Sequence, residues 1–367
     1  MRLRLLLFFV VFSTSAEAQL WRKLHPDSLL QMDLRFIPAP IVYRTPETSW
    51  GFGLSTSYYF NTAATDQRAL TRSSNIQFQA VRTLRQQTIA QLVTDVFTPN
   101  EKFYIRTYVG YRDYLDRFYG IGAATGEDQS EDYRFESWVT ALNVLYKTDS
   151  KHFVGVNFRS QSMFRIRPDS TGVLAEGTIA GSQGSRMFGF GPEWRLDERD
   201  NPFAPASGHY LNILARYHPK WQADWFSFGV FQADARIYRK VGRENVLATR
   251  AVYRQTLGQA PFRELAMMGG DNGLRGYFYG RYREQSLFEL HSEYRFAIWK
   301  LFRGAVFTGV GQLGEHPGDY FKSYWKGSYG AGLRILANKK ERITLRIDYG
   351  RTLTGQSGVY IEFNEAF

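Results

Sequence analysis

Alternation of apolar and polar residues runs through almost the whole chain and limits its fold more than any other feature. In Trp50–Phe60, Phe52 and Leu54 share one face of an extended strand, and the positions between them are glycine or serine. Successive side chains of a strand point to opposite faces, so a period of two is typical of a strand with one apolar face. The pattern returns in Lys102–Arg112 and Glu284–Ile298. We therefore expect an all-β chain.

Sixteen such segments can be delimited, each bounded by turn residues such as Gly, Pro, Asn and Asp. They cover about Asp33–Tyr43, Trp50–Phe60, Arg72–Arg82, Thr88–Phe97, Lys102–Arg112, Tyr133–Tyr146, His152–Phe164, Arg186–Leu196, Gly208–Tyr217, Asp224–Arg239, Asn245–Leu257, Glu284–Ile298, Phe302–Leu313, Trp325–Leu336, Arg342–Leu353 and Gly358–Phe367. No segment has the period of an amphipathic helix, and no linker divides the chain. We expect one β domain over residues 33–367.

The composition favours a membrane wall over a soluble fold. The chain contains 29 Phe, 23 Tyr and 8 Trp, yet 22% of its residues are charged and its mean hydropathy is -0.37. A wall with one face in lipid, one face in water and aromatic girdles at both interfaces has this composition. A soluble sandwich or propeller is the alternative, but sandwich strands are typically about 5 or 6 residues long and a second sheet covers their apolar face. We expect a transmembrane antiparallel β-barrel of about 16 strands, since bacterial barrels usually have an even number.

The N-terminus has the pattern of a secretory signal peptide. Arg2 and Arg4 precede the apolar run Leu5–Phe12, and Ala16-Glu17-Ala18 follows before Gln19. The apolar run is too short to span a bilayer. We expect cleavage after residue 18 and a short periplasmic segment over residues 19–32; a buried N-terminal helix is the alternative.

The lengths of the connections agree with a barrel whose N-terminus lies in the periplasm, where turns should be short. The sequences TPNE, KTDS, KVGRE, WKL and ANKKE then fall on the periplasmic side. The long connections Asp113–Asp132, Arg165–Ser185 and Gly258–Arg283 fall outside. Two longer periplasmic connections, Asn61–Thr71 and Asp197–Ser207, depart from the rule.

Charge and residue types argue against enzymes, cofactors and nucleic-acid partners. The formal charge is +11, but the Arg and Lys residues are scattered through alternating segments and form no basic tract. Lumenal charge and outer-membrane lipids as partners account for them. The chain has no Cys, and its six His residues have no metal-like spacing. We expect no metal, no cofactor and no catalytic site.

Three motifs carry a resemblance to a known family. They are Leu274-Arg275-Gly276-Tyr277 in a long external loop, RLDERDNPFAPASGHYLNI at residues 195–213, and GAGLRI with ITLRIDYG at residues 330–350. In their order along the chain and their expected sides of the membrane, they resemble the loop motif, the periplasmic turn and the penultimate hairpin of the BamA/TamA superfamily of outer-membrane assembly factors. That superfamily includes the bacterial surface antigen family. The resemblance covers about residues 33–367.

The resemblance implies that Arg275 points into the barrel lumen and binds carboxylates, as a planar guanidinium does well. The family's usual partner is an Asp in Phe-x-Asp-x-Gly, but this chain has Gly309 at that position. By strand parity, the candidate partners are Glu289, Glu293 and Asp348. An arginine in a solvated loop is the simpler alternative.

Three further sites are expected. The periplasmic turn motif should stabilise its turn rather than contact a substrate, because Asp and Asn cap turn amides; its residues are Asp197, Arg199, Asp200, Asn201, Pro202 and Gly208. Phe363 and Phe367, on the lipid face with Val359 and Ile361, resemble a C-terminal assembly signal. Pro38 and Pro40 each lack an N–H donor, so we expect them on the seam edge of the first strand, facing the last strand.

For function, the resemblance implies insertion or translocation of outer-membrane proteins through the seam of a Gram-negative outer-membrane barrel. Client outer-membrane proteins are then the expected partners. Only residues 19–32 separate the signal peptide from the first strand, too few for the family's periplasmic POTRA domains. The chain therefore resembles the barrel-only members, and a separate periplasmic partner is expected. The alternative is a passive, loop-plugged channel without insertase activity.

Overall fold

The computed structural model describes residues 35–45, 49–64, 71–169, 172–222, 225–339 and 342–367. The predicted signal peptide and the segment 19–32 lie outside these residues. Among the residues described, we find no helix with the length and apolarity of a membrane span. Two short 3-10 turns, Pro99–Glu101 and Pro317–Phe321, are the helical elements described.

Sixteen antiparallel strands form one continuous sheet, which confirms the predicted number. A two-residue hairpin, β12 and β13, lies in the loop after β11, so the wall runs from β11 to β14. The strands are β1 Phe36–Thr45, β2 Ser49–Phe60, β3 Ser74–Thr83, β4 Thr88–Phe97, β5 Phe103–Phe118, β6 Glu131–Lys147, β7 His152–Pro168, β8 Ser185–Asp197, β9 Gly208–His218, β10 Phe228–Val241, β11 Asn245–Gly258, β12 Ala266–Met267, β13 Arg283–Glu284, β14 Ser286–Trp299, β15 Phe302–Gly314, β16 Lys326–Asn338, β17 Ile343–Thr352 and β18 Ser357–Phe363.

The two faces of the wall are those that the alternation predicts. On β2, Phe52 and Leu54 are 48% and 47% exposed, whereas Ser55 and Ser57 are buried. On β14, Leu290 is exposed, while the Glu and Arg positions between the apolar residues are buried. Apolar side chains therefore face the lipid, and polar side chains fill the lumen.

The ends of β5 and β6 that their connection joins extend beyond their predicted limits. The two strands stay paired as far as Phe118 and Glu131, although Asp113–Asp132 was expected to be a loop. The extension is stabilised by aromatic packing, since Phe118 and Tyr133 both contact Phe262 of the loop that enters the barrel. The strands continue because this tertiary packing covers their ends.

Strand length varies around the wall. β5, β6 and β7 contain 16 or 17 residues, whereas β17 and β1 contain 10 and β18 contains only 7. The wall is therefore tallest at β5, β6 and β7. The β1–β18 side is the shortest part of the wall.

Candidate functional site

The long connection between β11 and β14 folds into the barrel. Its hairpin pairs Ala266 with Glu284 and Met267 with Arg283. An apolar cluster holds the inner part of the loop against the wall: Ala266, Met268, Leu274, Tyr277, Tyr282, Leu287 and Leu313 are all buried and packed together. The loop is therefore a packed element of the lumen.

Arg275 lies at the inner end of this loop and is only 4% exposed. One terminal nitrogen donates to Glu293 Oε2 at 2.8 Å, and the other forms an ion pair with Asp348. The guanidinium carbon lies 3.4 Å from the centre of the Phe307 ring. Arg275 is therefore held by two carboxylates and an aromatic face, the combination that a planar cation binds best.

The same two carboxylates bind other arginines from the wall. Arg334 pairs with Glu293 at 3.1 Å and also with Asp348. Arg295 donates to Glu293 at 2.8 Å, and Arg346 to Asp348 at 3.0 Å. Strands β14, β16 and β17 are thus cross-linked with the loop in one buried ion network. We call Arg275 with Glu293, Asp348, Arg295, Arg334 and Arg346 the lumen clamp.

The close approach of the loop to the wall depends on two glycines. Gly276 has a φ of 110°, which L side chains rarely adopt, and its amide donates to the Tyr360 hydroxyl at 2.9 Å. A Cβ on Gly350 of β17 would lie 2.7 Å from the backbone of Arg275. Side chains at these positions would push the loop away from β17.

Two of the three candidate carboxylates contact Arg275, and the third does not. Glu289 lies next to His291, at 3.4 Å, and no ion pair with Arg275 is found for it among the described residues. Gly309, at the position where the family has Asp, packs against Leu274 and His291 instead. The loop arginine is therefore bound by carboxylates of β14 and β17 rather than by β15.

The turn from β8 to β9 is held by its own side chains. Asp197 binds Arg199 at 2.8 Å, and Arg199 donates to the carbonyl of Pro202. Asn201 accepts from the amides of residues 203 and 204, both at 2.8 Å. Gly208 closes the turn with a φ of 107°. These contacts are those of a structural turn.

Asp200 links this turn to the connection between β16 and β17. It forms an ion pair with Arg342 at 2.6 Å and accepts hydrogen bonds from the amides of Ala206 and Ser207. Burial raises the pKa of the Asp200 carboxyl, but the bonds from Arg342 and the two amides outweigh burial, and the net pKa lies below its usual value. The carboxylate therefore favours the folded turn.

The last four residues leave the wall and enter the lumen. Asn364 has a φ of 65°, and Phe367 is only 6% exposed. The main-chain oxygen of Phe367 accepts from Arg295 at 3.0 Å. The expectation that Phe367 shares the lipid face with Phe363 is therefore wrong, because the left-handed residue ends the alternation. The assembly-signal role of the two residues stays a prediction.

The tail connects the C-terminus to the lumen clamp. Glu365 pairs with Arg334 at 2.9 Å and with Arg295 at 3.5 Å. Its amide donates to the carbonyl of Phe203 in the β8–β9 turn. The loop, the turn and the tail therefore meet on one set of arginines.

Two prolines of β1 face the strand that would close the barrel. The amide of Tyr59 donates to the carbonyl of Arg35 at 2.7 Å, in register with the β1–β2 ladder. Alternate residues of an antiparallel strand direct both backbone groups toward the same neighbour. The odd-numbered residues of β1 therefore bond to β2. Pro38 and Pro40 direct their backbone toward β18, and neither has an N–H to donate.

β18 has the complementary free edge. The amide of Asn364 donates to the carbonyl of Thr344, so the even-numbered residues of β18 bond to β17. Val359, Ile361 and Phe363 therefore direct their backbone toward β1. β1 and β18 lie side by side, but within the described ranges no ladder pair joins them, in contrast to all other neighbours in the wall. We call this edge pair the seam.

Sequence reasoning missed Arg295, Arg334, Arg346 and Glu365 as members of the network. Arg295 shares a lumenal face with Glu293 on β14, and Arg346 shares one with Asp348 on β17. The alternation could therefore have placed these two arginines in the lumen. It could not have placed Glu365 there, because the alternating pattern continues past the residue at which the backbone turns inward. Among the described residues, no group of His, Asp or Glu side chains could hold a metal ion.

Comparison with known proteins identifies the family. Residues 56–364 match the Omp85 superfamily domain. The chain belongs to the Omp85 superfamily. It is a Gram-negative outer-membrane β-barrel. No curated protein matches the chain.

Solved structures share the fold at low sequence identity. BamA from Haemophilus ducreyi lacking POTRA domains 1–3 matches with a TM-score of 0.53 and 14% identity, over 90% of this chain and 69% of that one. CdiB from Escherichia coli matches with a TM-score of 0.59 and 10% identity, over 90% of this chain and 62% of that one. CdiB from Acinetobacter baumannii gives 0.54 and 10%, over 90% and 59%. The chain thus spans less than two thirds of either CdiB chain.

Proposed function

We propose that this Omp85 barrel assists the insertion or translocation of outer-membrane proteins through the seam between β1 and β18. The observation that carries the proposal is the seam itself: two adjacent strand edges, one of which lacks two N–H donors, with no ladder between their described residues. Every other wall contact would have to lose a ladder before a protein could pass. The described part of the seam has no ladder to lose.

Opening the seam should cost much less free energy than separating two interior strands. A backbone hydrogen bond contributes on the order of 1 kcal/mol net, so separating an interior pair with about ten ladder residues would cost on the order of 10 kcal/mol. The carbonyls of Pro38 and Pro40 point toward this edge and can act as acceptors. An incoming strand can pair with such an edge by β-augmentation, in which main-chain hydrogen bonds supply the affinity.

The short strands beside the seam support the same proposal. The 7 residues of β18 extend about 23 Å at about 3.3 Å per residue. Since barrel strands tilt by about 35–45°, their height is less than the apolar band of about 25 Å. A bilayer that matched β18 would be thinner beside the seam, and this would lower the barrier for a new strand entering the lipid there.

The lumen clamp would keep the loop in the lumen while the seam opens. It binds the loop to β14, β16 and β17, next to β18, and the tail that follows β18 is bound by Arg295 and Arg334. The end of β18 and the loop thus share partners. The alternative, a passive loop-plugged channel, requires an open path past these elements.

The partners follow as proposals. Client outer-membrane proteins would use the seam, and outer-membrane lipids would contact the exposed apolar face. A separate periplasmic protein would deliver the clients. The expectation that the protein is not an enzyme stays a prediction.

The test is reconstitution. Purified barrel in phosphatidylcholine vesicles should accelerate the folding of a urea-denatured outer-membrane β-barrel at least several-fold over empty vesicles, followed by heat-modifiability on gels. Vesicles with a closed porin-type barrel of similar size are the control. Vesicle swelling in sugars measures passive permeation in parallel. Unaccelerated folding together with fast swelling would support the passive channel and refute the proposal.

A further inference from the structure

A second charged region of the lumen lies away from the lumen clamp. A cavity of about 430 Å³ is enclosed by β5, β6, β7 and the inserted loop, and its size suits a small organic ligand. Among the described residues, its lining contains one carboxylate, Glu264, and five arginines: Arg106, Arg112, Arg159, Arg254 and Arg263.

Two of the five arginines are neutralised from outside the cavity. Arg106 pairs with Asp95 at 2.9 Å, and Arg263 pairs with Asp116. Of the other three, Arg159 and Arg254 share Glu264, and Arg112 has no ion pair among the described residues. In the described lining of this cavity, two positive charges therefore remain without a counter-charge. We call Arg112, Arg159, Arg254 and Glu264 the arginine pocket.

The contacts within the arginine pocket leave donors free. Arg159 donates to Glu264 at 3.2 Å, and Arg254 reaches its other carboxylate oxygen only at 3.8 Å. The Nε atoms of both arginines are buried and have no hydrogen-bond partner. For Arg112, no hydrogen bond or ion pair is found within the described residues. The pocket thus presents the guanidinium of Arg112 from β5, beside two arginines of β7 and β11 whose Nε atoms are buried without a partner.

An additional arginine strengthens the positive field. Arg216 of β9 binds the amide oxygen of Asn157 at 2.7 Å, and no carboxylate contacts it in the described residues. Neighbouring cations in a confined lumen repel one another, and a buried charge without a partner is unfavourable. An anion in the pocket would remove both costs.

We propose that the arginine pocket binds a phosphate-bearing anion. A phosphate monoester carries about −1.5 to −2 charges at neutral pH, which matches the two charges left over. Its oxygens accept the bidentate hydrogen bonds that guanidinium groups donate. Tyr108, Phe135 and Tyr279 also line the cavity and provide apolar surface for the organic part of such a ligand.

The arginine pocket adjoins a second cavity of about 550 Å³, and the two share Arg112, Arg254, Met267 and Tyr279. A soluble phosphate compound or the headgroup of a lipid could supply the phosphate. The two sources differ in how they reach the lumen, so a competition experiment separates them.

The test uses inorganic pyrophosphate as the probe, with the full chain folded in detergent and titrated by calorimetry at low salt. We expect saturable binding that weakens as salt is added. Arg112→Gln should weaken it at least tenfold, and Arg112 is the safest variant because it makes no hydrogen bond or ion pair among the described residues. Arg186→Gln, the same change at an exposed position, should leave binding unchanged.

The direction of the change in pyrophosphate affinity distinguishes an anion site from a region that any substitution would damage. Glu264→Gln removes the only carboxylate of the pocket and should tighten pyrophosphate binding, whereas damage to the site would weaken it. Heat-modifiability on gels checks that each variant is folded. Absence of binding to the wild type, or equal binding to the wild type and Arg112→Gln, would overturn the proposal.

The source of the phosphate is resolved in vesicles. The barrel is reconstituted in phosphatidylcholine alone or with phosphatidic acid, and pyrophosphate binding is measured in both. Weaker binding with phosphatidic acid would support a lipid headgroup in the pocket. Equal binding would support a soluble phosphate compound. The outcome does not depend on the proposed insertion activity, so the two proposals fail or succeed separately.

Discussion

Arg275→Gln should release the inserted loop while leaving the wall folded. Arg275 donates to Glu293 and Asp348, and a hydrogen bond to a charged group contributes about 1.5–3 kcal/mol. Both carboxylates keep other arginine partners in the variant, so neither is left as an unpaired buried charge. We therefore take about 1.5 kcal/mol for each of the two bonds. The free energy that favours the closed loop should fall by about 3 kcal/mol in the variant. That is about a hundredfold increase in the open population of the loop.

Hydrogen exchange measured by mass spectrometry reads this population directly. Loop amides are suitable reporters, since Met268 donates to the Tyr282 carbonyl and Gly280 to the Met268 carbonyl. Amides of β5 and β6 serve as the internal standard. Arg275→Lys keeps the charge but cannot donate in the planar fork, and we expect about a tenfold increase for it.

The reasoning would be refuted by the opposite distribution of exchange. If loop amides in Arg275→Gln exchange within a factor of two of the wild type, the lumen clamp does not hold the loop. If the wall amides accelerate as much as the loop amides, Arg275 stabilises the whole barrel instead.

Three further outcomes are expected. Gly350→Ala should accelerate exchange of the same loop at least tenfold, because its Cβ would meet the Arg275 backbone at 2.7 Å; Gly229→Ala, whose Cβ would lie 3.9 Å from its nearest neighbour, should not. Phe367→Ala should make the tail sensitive to carboxypeptidase, and resistance equal to the wild type would contradict its buried position. In the folded state the pKa of the Asp200 carboxyl lies below its usual value. Its contribution to the free energy of unfolding is therefore present above the usual pKa and is lost as the pH falls through the folded-state pKa. Thermal unfolding between pH 7 and pH 3 should therefore change less in Asp200→Asn than in the wild type.

The sequence predicted the wall well because a lipid face and a lumenal face impose one rule on every strand. Strand number, face assignment and the class of barrel all follow from that rule. The limits of β5 and β6 did not, since their outer ends are covered by Phe262 of the loop, and alternation does not report contacts between distant segments.

Contacts in the lumen could be predicted only within strands, where alternate residues share one face. This rule predicted Glu293 and Asp348 as partners of Arg275, but it also predicted Glu289, which lies beside His291 instead. It could not anticipate the tail, because a single left-handed residue, Asn364, redirects the chain. Such a residue leaves no periodic trace in the sequence.

The most direct test of the central claim is a reversible crosslink across the seam. Pro38→Cys is combined in turn with Val359→Cys, Ile361→Cys and Phe363→Cys, and the pair that oxidises completely is used. The matched control joins Thr56→Cys and Phe78→Cys, directly opposite residues of the interior pair β2–β3. We predict that the seam crosslink abolishes accelerated folding of a client barrel in vesicles, that reduction restores it, and that the control crosslink has no effect. Full activity with a completely crosslinked seam would contradict insertion through the seam.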